Sequence, residues 1–275
     1  MSGNQEQQSR PVAIVTGASG GIGEATARAL HTAGYRVFGT SRRLPSTKSP
    51  EIEYVVCDVT SDESVHAAVG QVLSQSGRID LLVNNAGVGL LAGAEESSLA
   101  QAKSLFDVNL FGIVRMTKAV LPTMRGQRVG RIVNLSSVMG LIPAPFMALY
   151  AATKHAVEGY SESLDHEIRD SGIRVVLVEP AYTQTAFEGN AWGADQPLGV
   201  YQSARMNAEQ VMRDGMRTAD APELVASAVV KAATAANPQG RYAAGRTARQ
   251  VSLLRRFVPA SAFDKSLRKQ FRLPA

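Results

Sequence analysis

TGASGGIG, residues 16–23, places four glycines in eight positions directly after the apolar run Val12-Ala13-Ile14-Val15. Glycine at this density weakens regular structure, so some close contact is expected to compensate. The stretch that follows, EATARALHTAGY, has the composition of a good helix. Strand, glycine turn and helix in that order predict an anion site, because a helix N-terminus offers phosphate unpaired N–H groups and a favourable dipole. Gly17, Gly21 and Gly23 do not keep the spacing of the common dinucleotide fingerprint. The physical demands are the same: a tight turn, close phosphate approach and close helix–strand packing.

Working outward, short β-branched runs alternate with helical patterns. Strands are expected at 12–16, 36–40, 52–57, 79–83, 130–135 and 173–178, and helices near 22–34, 61–76, 99–125 and 148–171. Continuous apolar runs such as DLLVNN and RVVLVEP fit strands buried on both faces. That alternation predicts an α/β fold: a doubly wound parallel sheet of about seven strands with helices on both faces. No linker or repeat divides the chain, so residues 11–275 read as a single domain behind a disordered polar tail, 1–10. Past Pro180 the pattern changes. Residues 183–220 mix Gly, Pro, Met, Phe187, Trp192 and Tyr201 without a clear period, which suits an irregular substrate lid. A helix to about Ala235, a short strand near 240–244 and a basic helical segment, 245–275, complete the expectation.

The charge is uneven. Residues 241–275 hold nine Lys/Arg and one acid, Asp264, while the remainder of the chain is net −3. This argues against a chain-wide nucleic-acid surface. In the basic segment Leu and Phe alternate with Arg and Lys. Packing on the domain near a pocket is the favoured reading, and contact with a membrane surface is the lesser one. Pro259 excludes one long helix there. No apolar run is long enough to span a bilayer, and the single cysteine, Cys57, sits in a strand-like run as a small apolar side chain. A reducing, cytoplasmic setting is expected.

The chemistry centres on LYAATKHAVEGY. Tyr150 and Lys154 are four apart in a helical stretch and share a face. An ammonium about 5 Å from a phenol, at an effective dielectric near 20, favours the phenolate by roughly 3 kcal/mol. That is about two pKa units, enough to bring a phenol towards neutral working pH. Ser137 lies at the end of the strand RIVNLSS, where ligands bind in open α/β sheets. NNAG, 84–87, ends another strand there, and Asn109 follows in DVNLFG. A serine hydroxyl can hydrogen-bond a carbonyl, and an asparagine can hold a water. The second strand ends in Ser41-Arg42-Arg43, with no acid to accept ribose hydroxyls and two arginines suited to a 2′-phosphate. NADP(H) is therefore the expected cofactor, with Arg42 as first contact and Arg43 as second. The four histidines lack partners at metal spacing, so no metal is expected, and Asp107 reads as a solvated helical residue.

TGASGGIG, CDV, NNAG, VNLFG, NLSSVMG, YAATK and VEPAYTQT, in this order and spacing, resemble the short-chain dehydrogenases/reductases. NNAGVGLLAGAEE and PFMALYAATKHAVEGYSESLDHEI are most similar to the branch of 17β-hydroxysteroid dehydrogenases. The resemblance implies a Rossmann-like fold and a catalytic set of Ser137, Tyr150, Lys154 and Asn109. Tyr150 would exchange the proton, Lys154 would assist it and bind ribose, Ser137 would orient the substrate oxygen, and Asn109 would hold a water. It also implies a cofactor site of Gly17, Ser19, Gly21, Ile22, Gly23, Asp58, Val59, Asn85, Ala86, Gly87, Pro180, Thr183 and Thr185. Ala181 stands where the family usually has glycine, which would strain the turn if φ were positive. A homodimer or homotetramer follows from the resemblance alone. The expected activity interconverts a ketone or aldehyde with an alcohol on a small apolar substrate. The alternative is a non-catalytic NADP(H)-binding sensor or scaffold.

Overall fold

Parallel strands need crossover connections, and here helices on both faces supply most of them. In the computed structural model, which describes residues 10–47, 49–187 and 189–273, the seven strands are β1 Val12–Thr16, β2 Arg36–Ser41, β3 Glu53–Val56, β4 Leu81–Asn84, β5 Gly130–Leu135, β6 Ile173–Pro180 and β7 Arg241–Ala244. They form one parallel sheet in the order β3-β2-β1-β4-β5-β6-β7. The expected strand bounds hold to within two residues. Apart from Arg10, the polar tail expected at 1–10 lies outside the described residues.

The period of two in a strand decides which helix meets which residue. Val12 and Ile14 join a core with α2 Asp62–Ser76, α4 Gly112–Gln127 and α5 Ala148–Ile168. Ala13 and Val15 face the opposite core, built on α1 Gly21–Thr32 and α7 Pro222–Thr234. α2 starts where Ser61 Oγ accepts from Ser64 N, 3.2 Å, and ends at the left-handed Gly77. On α5 the buried Asp165 accepts from Val175 N and Arg174 Nε, at 2.8 and 2.9 Å, and pairs with Arg169. Burial works to raise its carboxyl, but these hydrogen bonds outweigh it and hold the group below the usual range. Asp165 thereby ties α5 to the start of β6.

Two helical expectations need correction. The segment 99–125 is α3 Leu99–Phe106, a π-helical turn Asp107–Phe111, and α4. Within 183–220 lies a regular helix, α6 Gln202–Met216. Ala204, Ala208, Val211 and Met212 fall at helical spacing along one face of α6, but only Ala208 is fully buried, so the apolar stripe in the sequence is weak. The basic segment forms two helices, α8 Gly245–Phe257 and α9 Ala260–Gln270, divided at Pro259 as its sequence requires. Asp107 is not merely solvated: Arg115 donates to its Oδ1 at 2.7 Å.

Candidate active site

β1 is flanked by β2 on one side and β4 on the other, so the connections diverge here and leave a crevice at the carboxyl ends of the strands. A cleft of about 980 Å³ occupies it. Its floor is the glycine turn. Gly17 and Gly21 have φ of 67° and 55°, a left-handed conformation open to glycine. A Cβ on Gly23 would stand 2.2 Å from Gly17 O, so that residue lets α1 close on the turn rather than facing the cleft. α1 begins at Gly20 without a side-chain cap, leaving its first N–H groups for a ligand. Thr16 Oγ1 accepts from Asn85 N and Ala86 N, both at 3.0 Å, and Asn85 Nδ2 donates to Thr16 O and Gly17 O. Asn85 thus braces the turn from β4.

The expected chemical groups converge on the same cleft. Tyr150, in the first turn of α5, and Lys154 are both buried, with Nζ 5.8 Å from the centre of the phenol ring. Lys154 Nζ donates to Leu135 O at 2.9 Å, tying the helix to the end of β5. Burial pushes its ammonium down to about 8, against the opposing pull of Glu158. Ser137 Oγ accepts from Met139 N at 3.1 Å, which orients the hydroxyl. Asn109 sits in the π-helical turn and does not line the cleft. Its Oδ1 accepts from Val88 N, and its Nδ2 donates to Val88 O and Thr153 Oγ1. Both amide protons are committed, so the side chain clamps the cleft wall at Val88.

Gly17, Ser19, Gly21, Ile22, Ser41, Arg42, Asp58, Val59, Asn85, Ala86, Gly87, Pro180, Thr183 and Thr185 all line the cleft. Arg43 and Gly23 do not. The Ser41 hydroxyl turns back to Arg43 O, and the exposed Arg42 lines the cavity. Thr60 N and Oγ1 donate to Asp58 Oδ1 and hold that carboxyl below its usual range, with a smaller contribution from Arg42. Ala181 lies outside the left-handed region, so the strain considered for it does not arise. Among the described residues no group of His, Cys, Asp and Glu is arranged to hold a metal ion.

The opposite wall is apolar and comes largely from the segment after β6. Trp192 N donates to Gly89 O and Leu91 N to Trp192 O, adding a short bridge to the loop beyond β4. Phe187 lies against Tyr150 with ring centres 6.2 Å apart. Glu96 latches the segment: its buried carboxylate accepts from Leu198 N and Gly93 N, both at 2.9 Å, and pairs with Arg205 of α6. Burial alone would raise this carboxyl, but the three donors prevail and lower it. The cleft also takes Thr247 and Val251 from α8, and Leu267, Gln270 and Phe271 from α9 and its end. None was identified from sequence. The amphipathic repeat of the basic segment pointed to packing near a pocket, without naming which residues meet it.

A carboxyl held below its ordinary value contributes stability above the unfolded carboxylate range and loses it as pH falls through the folded value. The wall should therefore loosen on acidification, and Glu96→Gln should loosen it at neutral pH. Trp192, the only tryptophan, reports this through a red-shifted emission. Unchanged emission in the variant would show that Glu96 is not the latch.

Comparison with known proteins agrees with this geometry. The model of the short chain dehydrogenase family matches residues 11–195. A 3-ketodihydrosphingosine reductase of Bacteroides thetaiotaomicron is 37% identical over 237 residues, 85% of this chain and 87% of that one. Bovine retinol dehydrogenase 8 is 42% identical over 189 residues, 64% of this chain and 60% of its own. The crystal structure of a short-chain dehydrogenase from Streptomyces avermitilis superposes with a TM-score of 0.81 at 32% identity, covering 96% of this chain and 95% of that one. Fold, cleft and family match lead to one conclusion: the chain belongs to the short-chain dehydrogenase family.

Proposed function

We propose that the chain is an NADP(H)-dependent oxidoreductase that interconverts a ketone or aldehyde with an alcohol on an apolar substrate. The carrying observation is the buried Tyr150–Lys154 pair opening, with Ser137, into the same cleft as the glycine turn. The cofactor fits this site. The left-handed glycines and the uncapped start of α1 form a cradle that a Cβ would fill, with Arg42, Asp58, Thr183 and Thr185 around it. When bound, a nicotinamide dinucleotide supplies or accepts the hydride.

The chain's own groups handle the proton. Ser137 donates to the substrate oxygen and holds it beside Tyr150. In reduction the Tyr150 hydroxyl gives its proton to that oxygen, and in oxidation the phenolate takes it back. The Lys154 ammonium favours the phenolate. Asn109 fixes the Val88 wall. Leu90, Met139, Met147, Phe187 and Trp192 surround Tyr150 with apolar surface, and the segment 183–220 serves as the lid over it. This favours a steroid-, retinoid- or aryl-ketone-like substrate and the 17β-hydroxysteroid dehydrogenase-like branch. The names of two relatives, 3-ketodihydrosphingosine reductase and retinol dehydrogenase, support an apolar substrate. A cytoplasmic homo-oligomer of one domain, 11–275, completes the reading. The lone Cys57 suits that compartment, since burial pushes its thiol up to about 11 and leaves it inert.

One observation favours a second reading, a peripheral membrane enzyme of the same activity. On α8, Leu253, Leu254 and Phe257 are exposed among Arg249, Arg255 and Arg256, beside the helix face that lines the cleft. Among the described residues no helix is long and apolar enough to cross a membrane, so contact would be interfacial. Co-sedimentation with anionic but not neutral vesicles, lost in Leu253→Ser/Phe257→Ser, is the outcome this reading requires. No sedimentation with either vesicle removes it.

Tyr150→Phe keeps the ring and removes the proton, so turnover in a carbonyl screen should fall below about a tenth of wild type while NADPH binding persists. Retained turnover would sink the assignment, and wild-type inactivity with intact binding would favour the non-catalytic sensor. For the cofactor, a charge-assisted hydrogen bond is worth about 1.5–3 kcal/mol, so NADPH should bind roughly ten- to a hundredfold tighter than NADH. Arg42→Ala should erase most of that difference by weakening NADPH alone. Equal affinities in the wild type would show the arginine to be solvent decoration.

A further inference from the structure

One turn beyond Lys154, α5 buries a second ionisable group to which the chemistry above assigns no task. Glu158 is 4% exposed. Gly140 makes room for it: a Cβ there would stand 2.7 Å from Ser136 Oγ and 2.9 Å from Glu158 Oε1. Neither oxygen has a partner in ordinary hydrogen-bond geometry among the described residues, and the Ser136 hydroxyl is close enough to act on the carboxyl. Ser136 immediately precedes Ser137. The other carboxylate oxygen, Oε2, pairs with Arg241 of β7. The same guanidinium binds Glu179 Oε1 of β6 at 2.8 Å and Glu162 Oε1 of α5 at 2.9 Å. The charged and polar groups facing Glu158 are therefore Lys154 and Glu162 from its own helix, Ser136 beyond β5, Glu179 from β6 and Arg241 from β7.

One guanidinium cannot balance three carboxylates, two of them buried. Burial pushes the Glu158 carboxyl up to about 7 and raises Glu179 as well. Glu158 in turn works against the burial that lowers Lys154. Four residues apart on one helix face, Lys154 and Glu158 lie close enough for the carboxylate's charge to act on the ammonium.

We propose that Glu158 is a positioning residue of the active site, whose carboxylate, held between Ser136 and Arg241, sustains the charge of Lys154 and through it the proton on Tyr150. The consequence for catalysis rests on the oxidoreductase reading; the coupling of Glu158 to Lys154 does not. A purely structural role, tying α5 to β6 and β7 through Arg241, would leave the titration of Lys154 unmoved.

Lysine labelled with carbon-13 at Cε, in the cofactor-free protein, reads that titration directly by NMR, with the Lys154 signal assigned by its loss in Lys154→Arg. Glu158→Gln keeps the shape and removes the charge, so the Lys154 midpoint should fall by about half a pH unit or more. Glu162→Gln, at the exposed rim, removes a competitor for Arg241 and a repelling charge, which favours the Glu158 carboxylate. It should move the midpoint the other way. In alcohol oxidation, the acid limb of kcat/KM should shift to higher pH in Glu158→Gln, because less ammonium supports the phenolate. Midpoints unmoved in both variants overturn the proposal, as does a loss of rate in Glu158→Gln that is uniform with pH. Opposite shifts in a protein that reduces no carbonyl would uphold the coupling and reject the oxidoreductase reading instead. If Glu158→Gln fails to fold, the sign of the Glu162→Gln shift decides alone.

Discussion

Parallel strands cannot be joined by tight turns, so where the order reverses beside β1 the connections must part and leave a crevice. Everything chemical in this molecule is placed by that constraint. The crevice is kept narrow by Thr16 and Asn85, which cross-link the ends of β1 and β4, and by Gly23, whose missing side chain lets α1 come down on the turn. Because the sheet is parallel, the ends of β5 and β6 open on the same side. Ser137 and the residues from Pro180 to Thr185 therefore reach the same cleft without any loop having to travel.

Helix α5 carries the second half of the site, and its buried face is unusual for a helix packed on a sheet. Lys154, Glu158, Ser161 and Asp165 are all buried, at steps of four, three and four residues. A helix face at that spacing is ordinarily apolar, and each buried ion costs several kcal/mol before compensation. Compensation differs along the face. Asp165 is fully met by backbone and arginine donors and stays charged. Ser161 accepts from Asn134 on β5 at 2.8 Å and donates to Val157 O. Lys154 and Glu158 are met incompletely and are both pushed towards neutrality. The unresolved charge thus sits at the end nearest Tyr150, where a proton must move, and the resolved charge at the end where α5 only has to stay in place.

What was legible in the chain follows from the reach of each interaction. β1 and β6 bury both faces, so their continuous apolar runs named them, and the glycine turn follows from local sterics. Tyr150 and Lys154 were visible because one helical turn aligns them. Arg42 and Arg43 are adjacent in sequence, and only the folded cleft shows that Arg42 lines it and Arg43 does not. The role of Asn109 depends on a π-helical turn that re-aims its amide at Val88, and no residue pattern marks such a turn. Helix α6 escaped because its apolar face, Ala204, Ala208, Val211 and Met212, is mostly small or half-buried. Glu96 escaped because a buried carboxylate is recognisable only with its donors, two of which, Leu198 and Arg205, lie about a hundred residues away.

The cleft accordingly has walls of two kinds. The wall that holds the proton chemistry belongs to the sheet: Lys154 is pinned to Leu135 O, Ser137 to Met139 N, and the glycine turn to Asn85. Its groups are separated by single hydrogen bonds from the hydrophobic core and have little freedom to move. The apolar wall is attached from outside, by the Glu96 latch, by the Leu90–Trp192 bridge and by the inner faces of α8 and α9. These attachments are few and mostly polar at their edges, so they open at lower cost than the core. The two walls thus differ in how they are held, one by hydrogen bonds to the sheet and the other by contacts made from segments outside it.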